Sequence, residues 1–155
     1  MTKAKDKLQT ILAILQTQYL YYLNCHWTVG PGNDFYQLHL LFERLYGAVP
    51  DQVDTLAEKL VCFYGPEAVP LCDRVLSIYK HAEELKKSGP IDGAMLLEES
   101  LQAAIKDAYT SMKNEGTLTP GVDDYLLSLA NEHETHIYLL SRILGNPCPP
   151  KGMKK

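Results

Sequence analysis

Apolar residues recur every three or four positions from Leu8 through Ile11, Leu12, Leu15, Tyr19, Tyr22 and Leu23 to His26, the spacing of one face of a long helix. This register predicts that His26 lies on the inward face. Gly30-Pro31-Gly32-Asn33-Asp34 interrupts the pattern and offers Asn33 or Asp34 as an N-cap. A second stripe follows through Phe35, Leu38, Phe42, Leu45, Val49, Val53, Leu56 and Leu60. Pro50 stands inside it, just after Gly47, and predicts a kink or a local break, because proline lacks a backbone donor and crowds the preceding turn. After Gly65-Pro66, the piece from Leu71 to Tyr79 is too short for a bundle helix and is expected to lie across the outside. A third helix is predicted from Leu97, Leu101, Ala104, Ile105, Ala108 and Met112, and a fourth from Val122, Tyr125, Leu126, Leu129, His133, Ile137, Leu140 and Leu144. Gly116 to Gly121 separates these two, and Gly145-Asn146-Pro147 ends the last. With no alternating strand pattern, the class is all-α: a four-helix bundle with a short extra helix in the crossover between helices two and three.

Composition narrows this picture. The 155 residues suffice for one domain, 1–155, with short lysine-containing tails at 1–7 and 148–155. A chain 46% hydrophobic and 22% charged, without an apolar run of membrane-spanning length, is expected to fold in water and to have no membrane partner. Its charged start, Met1-Thr2-Lys3-Ala4-Lys5-Asp6-Lys7, does not read as a signal peptide, so a cytoplasmic location is expected. Cys25, Cys62, Cys72 and Cys148 show no C-x-x-C spacing and are expected to be buried reduced thiols. A net charge of -4 argues against a basic nucleic-acid-binding face. Any DNA binding would fall to Lys3, Lys5, Lys7, Lys151, Lys154 and Lys155 in the tails.

The chemistry-bearing side chains concentrate on the second helix: His39, Glu43, Asp54 and Glu58 form two i, i+4 pairs beside the apolar stripe. Glu43 and Asp54 point within roughly 20° of each other yet stand about 16 Å apart along the axis, while His39 and Glu58 are about 28 Å apart. One ion cannot touch both pairs. If they form one site, the complement must come from a second copy across a two-fold axis, which sets the His39/Glu43 end of one helix against the Asp54/Glu58 end of its mate and makes two identical sites. Imidazole plus carboxylate suits iron, with zinc or manganese as competitors. The same residues also fit a solvated helix flank.

The stretches His26-Trp27-Thr28-Val29, Phe35-Tyr36-Gln37-Leu38-His39-Leu40-Leu41-Phe42-Glu43 and Asp54-Thr55-Leu56-Ala57-Glu58-Lys59 resemble the signature of the Dps family of mini-ferritins, and Asn131-Glu132-His133-Glu134-Thr135-His136 is similar to a run in that family's last helix. The resemblance implies a ferritin-like bundle and a shell of twelve subunits built from two-fold dimers. It also implies that His26, His39, Glu43, Asp54 and Glu58 are the metal ligands and catalytic residues of an inter-subunit ferroxidase centre. There Fe(II), entering through acidic pores, would be oxidised by hydrogen peroxide or, less readily, oxygen, and stored as ferric mineral, protecting against oxidative damage. Trp27 would then intercept oxidising equivalents or pack at the dimer seam. The Glu-x-x-His motif of larger ferritins is absent. Gly47 and Pro50 depart from the family pattern and bear on the Asp54/Glu58 half-site. His133 and His136 invite a second-site reading, but His133 sits on the apolar stripe and a structural role is expected. Asp123 and Asp124 fit either a pore lining or the helix macrodipole. Two rival readings are a DNA-compacting particle acting through the lysine tails and a metal-free helical scaffold.

Overall fold

The computed structural model describes residues 3–146. Its helices are α1 (Lys3–Thr28), α2 (Phe35–Gly47), α3 (Val49–Tyr64), α4 (Leu71–Leu85), α5 (Pro90–Glu115) and α6 (Pro120–Leu144), with a 3-10 turn at Pro66–Ala68. α2 and α3 together are the predicted second helix. Pro50 has no N–H to offer the carbonyl four residues back, so the hydrogen-bond ladder is interrupted. Ala48 nevertheless keeps helical torsions (φ -77, ψ -25), and the interruption is a single residue. Phe42 and Leu45 before it, and Val49, Leu56 and Leu60 after it, all remain buried, so one apolar face continues across the step.

Local chemistry sets the ends of the last two helices. Pro90 and Pro120 occupy first-turn positions where a missing N–H is harmless, and the Thr119 hydroxyl accepts the Val122 N–H. Both helices end on glycines in the left-handed region, Gly116 at φ 67 and Gly145 at φ 69. α4 runs six residues past the predicted Tyr79, to Leu85. Its position on the outside is as expected: Leu85 is its one buried residue, while Leu71, Val75 and Leu76 stay exposed.

α1 packs against α2, α3, α4 and α5, and α5 packs against α6. The core is not continuous. One cluster joins Leu8, Ile11, Leu12 and Leu15 to Leu56, Leu60, Leu101, Ile105 and Leu126. The other joins Tyr22, Phe42 and Leu45 to Leu97, Ile137 and Leu140. Between them, every bundle helix contributes a buried polar side chain: Gln18 from α1, Gln52 from α3, Glu98 from α5, and His133 and His136 from α6.

Two expectations need correction. Cys25 is buried, but Cys62 and Cys72 are exposed, because they fall on the outer faces of α3 and α4; Cys148 lies outside the described residues. Lys3, Lys5 and Lys7 belong to the opening turns of α1 instead of a tail, and Lys7 is paired with Asp107 of α5. Lys151, Lys154 and Lys155 lie outside the described residues. Among the described residues, no helix is long and apolar enough to cross a membrane.

Candidate metal centres

The loop from Val29 to Asp34 turns the chain so that the start of α2 returns along the end of α1, which sets His39 against His26. Their rings stack with centroids 3.8 Å apart and planes inclined at 23°. The pairing is reciprocal: His26 Nδ1 donates to the His39 carbonyl and His39 Nδ1 donates to the His26 carbonyl, both at 2.9 Å. A carbonyl only accepts, so each Nδ1 carries hydrogen and, in the neutral ring, each lone pair rests on Nε2. This is how ligating histidines are commonly oriented, with one nitrogen tied to the backbone and the other left for a metal. Phe35 stacks on the outer side of His39 at 5.4 Å, and Tyr46 meets His26 edge-on at 5.3 Å, so packing holds both rings.

The other three predicted ligands do not join this pair. Glu43 is exposed one turn beyond His39, and Asp54 and Glu58 are exposed on α3. Asp54 borders a groove between α1, α3 and α4, lined by Gln16, Tyr19, Leu20, Pro50 and Arg74. Within one chain the five residues therefore fall into a stacked histidine pair, with Glu43 one turn away, and two exposed carboxylates on α3. Trp27 is 68% exposed beside His26, and Tyr36 is 67% exposed at the start of α2. Asp123 sits in the first turn of α6, where an acidic residue complements the helix dipole.

Among the described residues, the one set of three or more potential ligand side chains within mutual reach lies elsewhere: Glu98, His133 and His136, all buried, with ligand atoms within 4.8 Å of one another. Glu98 lies 2.6 Å from His133 Nδ1 and 3.1 Å from His136 Nδ1, and accepts from the Tyr22 hydroxyl at 2.6 Å. His133 Nε2 meets Gln52 Oε1 at 3.0 Å, and Gln52 Nε2 donates to Glu132 at 2.8 Å. Burial by itself would push the Glu98 carboxyl up. The hydrogen bonds and positive charge of His133 and His136 outweigh it and hold the group down at about 2. The same burial, with Glu98 beside it, pushes the Tyr22 hydroxyl well above its ordinary value.

His133 is wholly buried, at the core position that its stripe predicts. Glu98, Gln18 and Gln52 did not stand out as site residues in the sequence. The available signal was register: Gln18 falls between Leu15 and Tyr22, Gln52 between Val49 and Leu56, and Glu98 between Ala94 and Leu101, each at a core position of its own stripe.

The family Ferritin, described as a ferritin-like domain, matches residues 5–147. General stress protein 20U of Bacillus subtilis is 29% identical over 129 residues, covering 79% of this chain and 83% of that protein. A nutrient stress-induced DNA-binding protein of Synechococcus is 37% identical over 99 residues, covering 63% of this chain and 53% of its own length. The fold of Dps from Listeria monocytogenes superposes with a TM-score of 0.77 at 21% identity, covering 94% of this chain and 96% of that one. The α1–α6 bundle with its outer α4 is thus shared with Dps structures, and the chain belongs to the ferritin-like family as a Dps-type mini-ferritin.

Proposed function

We propose that this iron-storage mini-ferritin oxidises Fe(II) at sites shared between two copies of the chain and stores the ferric product inside a closed shell of twelve. The observation that carries this reading is the reciprocal His26/His39 pair, which frees both Nε2 atoms yet supplies only two ligands. Two nitrogens do not satisfy a ferrous ion. Glu43 stands one turn from His39, and the exposed Asp54 and Glu58 of a second, antiparallel copy would complete the donor set with charge-neutralising oxygens. Exposed Trp27, Leu20 and Tyr36 supply apolar surface for such a seam. Each pair of Fe(II) ions gives up two electrons, and one hydrogen peroxide takes them with two protons to form two waters; oxygen would be the slower acceptor.

The test is complementation. His39→Ala and Glu58→Ala particles are each expected to lose fast peroxide-dependent oxidation of anaerobically loaded Fe(II), at unchanged particle mass. Co-assembled from equal amounts of the two, half the dimers are mixed and carry one intact site each, so about a quarter of the sites should return. Two inactive parents whose mixed particles stay inactive would place the site within one chain and refute the proposal.

The Synechococcus relative's name favours a second reading, DNA compaction. Lys7 is engaged with Asp107, which leaves that reading to Lys3 and Lys5 at the start of α1 and to the lysines outside the described residues. It requires a salt-sensitive gel shift that vanishes when residues 1–7 and 151–155 are removed.

A further inference from the structure

The polar layer across the core contains more than a satisfied carboxylate. Gln52 is oriented by Glu132, since its Nε2 donates there, so its Oε1 faces His133 and can only accept. His133 must therefore carry hydrogen on Nε2, and in the neutral ring its lone pair then lies on Nδ1, facing the Glu98 carboxylate at 2.6 Å. A lone pair and a carboxylate oxygen at that distance repel unless something positive lies between them. It is either a proton, held on the ring or on the carboxyl, or a metal ion.

Three observations favour an ion. Glu98, His133 and His136 present their ligand atoms within 4.8 Å of one another, and bonds of about 2.0–2.2 Å to a common ion bring such atoms to roughly 3.3 Å apart, so only small rotamer movements are needed. Gln18 is completely buried, and neither polar atom of its side chain has a partner. It stands one turn before Tyr22 on the same face of α1, with its amide beside the Tyr22 hydroxyl that bonds Glu98. Beyond this approach to Tyr22 the amide has no partner, so it is free to face a further polar group in the layer, a water or an ion. Finally, His136 borders a polar cavity of about 440 Å³ that is also lined by Arg44, Ser128, Asn131, Glu132 and Thr135, which gives an ion a path to an otherwise closed core.

The geometry points to a mononuclear site for a divalent ion of the zinc class inside each bundle, held by Glu98, His133 and His136 and distinct from the inter-subunit half-sites. Two imidazoles and one carboxylate leave a fourth position open, for water or for the orphan Gln18 amide. The Gln52–Glu132 pair is the outer support that fixes His133 with Nδ1 toward the ion. Binding expels the Nδ1 proton of His133 to solvent, while His136 moves its hydrogen from Nδ1 to Nε2, so metal uptake releases protons.

The probe is Co(II), whose ligand-field bands report low-coordinate nitrogen and oxygen donors. Metal-free full-length protein carrying His39→Ala, Asp54→Ala and Glu58→Ala, which lacks three of the five outer ligands, is titrated. One Co(II) per chain is expected, displaced by Zn(II). Adding His136→Ala should lower affinity about 100-fold or more, and adding Gln52→Leu about 10–100-fold. No binding by the outer-site variant at native helix content and particle mass, or bands that survive His136→Ala, would overturn the assignment. Should His136→Ala fail to fold, zinc anomalous scattering in wild-type crystals decides: a peak between Glu98, His133 and His136 supports the site, and zinc density confined elsewhere overturns it.

Discussion

Glu98→Gln in metal-free protein isolates the energetic role of the buried carboxylate. Glu98 is wholly buried, and the two histidines hold its acidity at about 2 against an ordinary 4.5, despite the opposing effect of burial. Because the folded value lies below the unfolded one, the linked stabilisation is fully present above about pH 4.5 and is lost as pH falls through 4.5 toward 2. At about 1.4 kcal/mol per pH unit, this gap corresponds to about 3 kcal/mol. For a chain of this size, that is about 6–12 °C in Tm. Glutamine keeps the shape and one acceptor oxygen but has no charge to lose, so the wild type should melt well above Glu98→Gln at pH 7. About 2 kcal/mol of this is lost between pH 6 and pH 3, so the difference should shrink by about 4–8 °C over that range. The assay is differential scanning calorimetry of both proteins after removal of metals with chelator, with particle mass followed at each pH. A Tm difference that stays constant within about 2 °C over that range would refute the view that His133 and His136 stabilise an ionised Glu98.

Tyr22→Phe removes a charge-assisted hydrogen bond of 2.6 Å while Glu98 keeps both histidine donors, so a loss of about 1.5–3 kcal/mol is expected in denaturant melts. Leu101 is completely buried in the larger core cluster, and Leu101→Ala should lose about 2–5 kcal/mol in the same assay, with the spread set by how far α1, α3 and α6 close the cavity. Lys7→Ala is expected to change stability by less than about 1 kcal/mol, since Asp107 is 65% exposed and solvent screens the pair; a larger loss would show that the α1 start depends on it.

Periodicity alone reached the bundle. The four stripes placed all the long helices, and the Gly and Pro signals at 30–34, 65–66 and 116–121, with Gly145, fall between or at the ends of the observed elements. These are local properties, since apolar spacing and turn chemistry act over a few residues. The effect of Pro50 was only half legible. Its missing donor guaranteed a broken ladder, but whether the stripe kept its direction depended on burial of Val49, Leu56 and Leu60 against neighbouring helices. The extension of α4 to Leu85 has the same origin, because the docking of that one residue lies beyond the reach of its own stripe.

For the sites, the sequence determined the list of residues and the distances along one helix, and those distances already excluded a single ion bound by His39, Glu43, Asp54 and Glu58 of one copy. Only the tertiary structure decided that His26 and His39 stack, and that each donates to the other's carbonyl, because this depends on how the 29–34 loop returns the chain. The polar layer shows the division most clearly. Gln18, Gln52, Glu98, His133 and His136 are scattered over more than a hundred residues of sequence, and each one singly reads as a flaw in an apolar stripe. Their convergence is a property of four helices packed in register, and it joins all of them but Gln18 into one connected buried network.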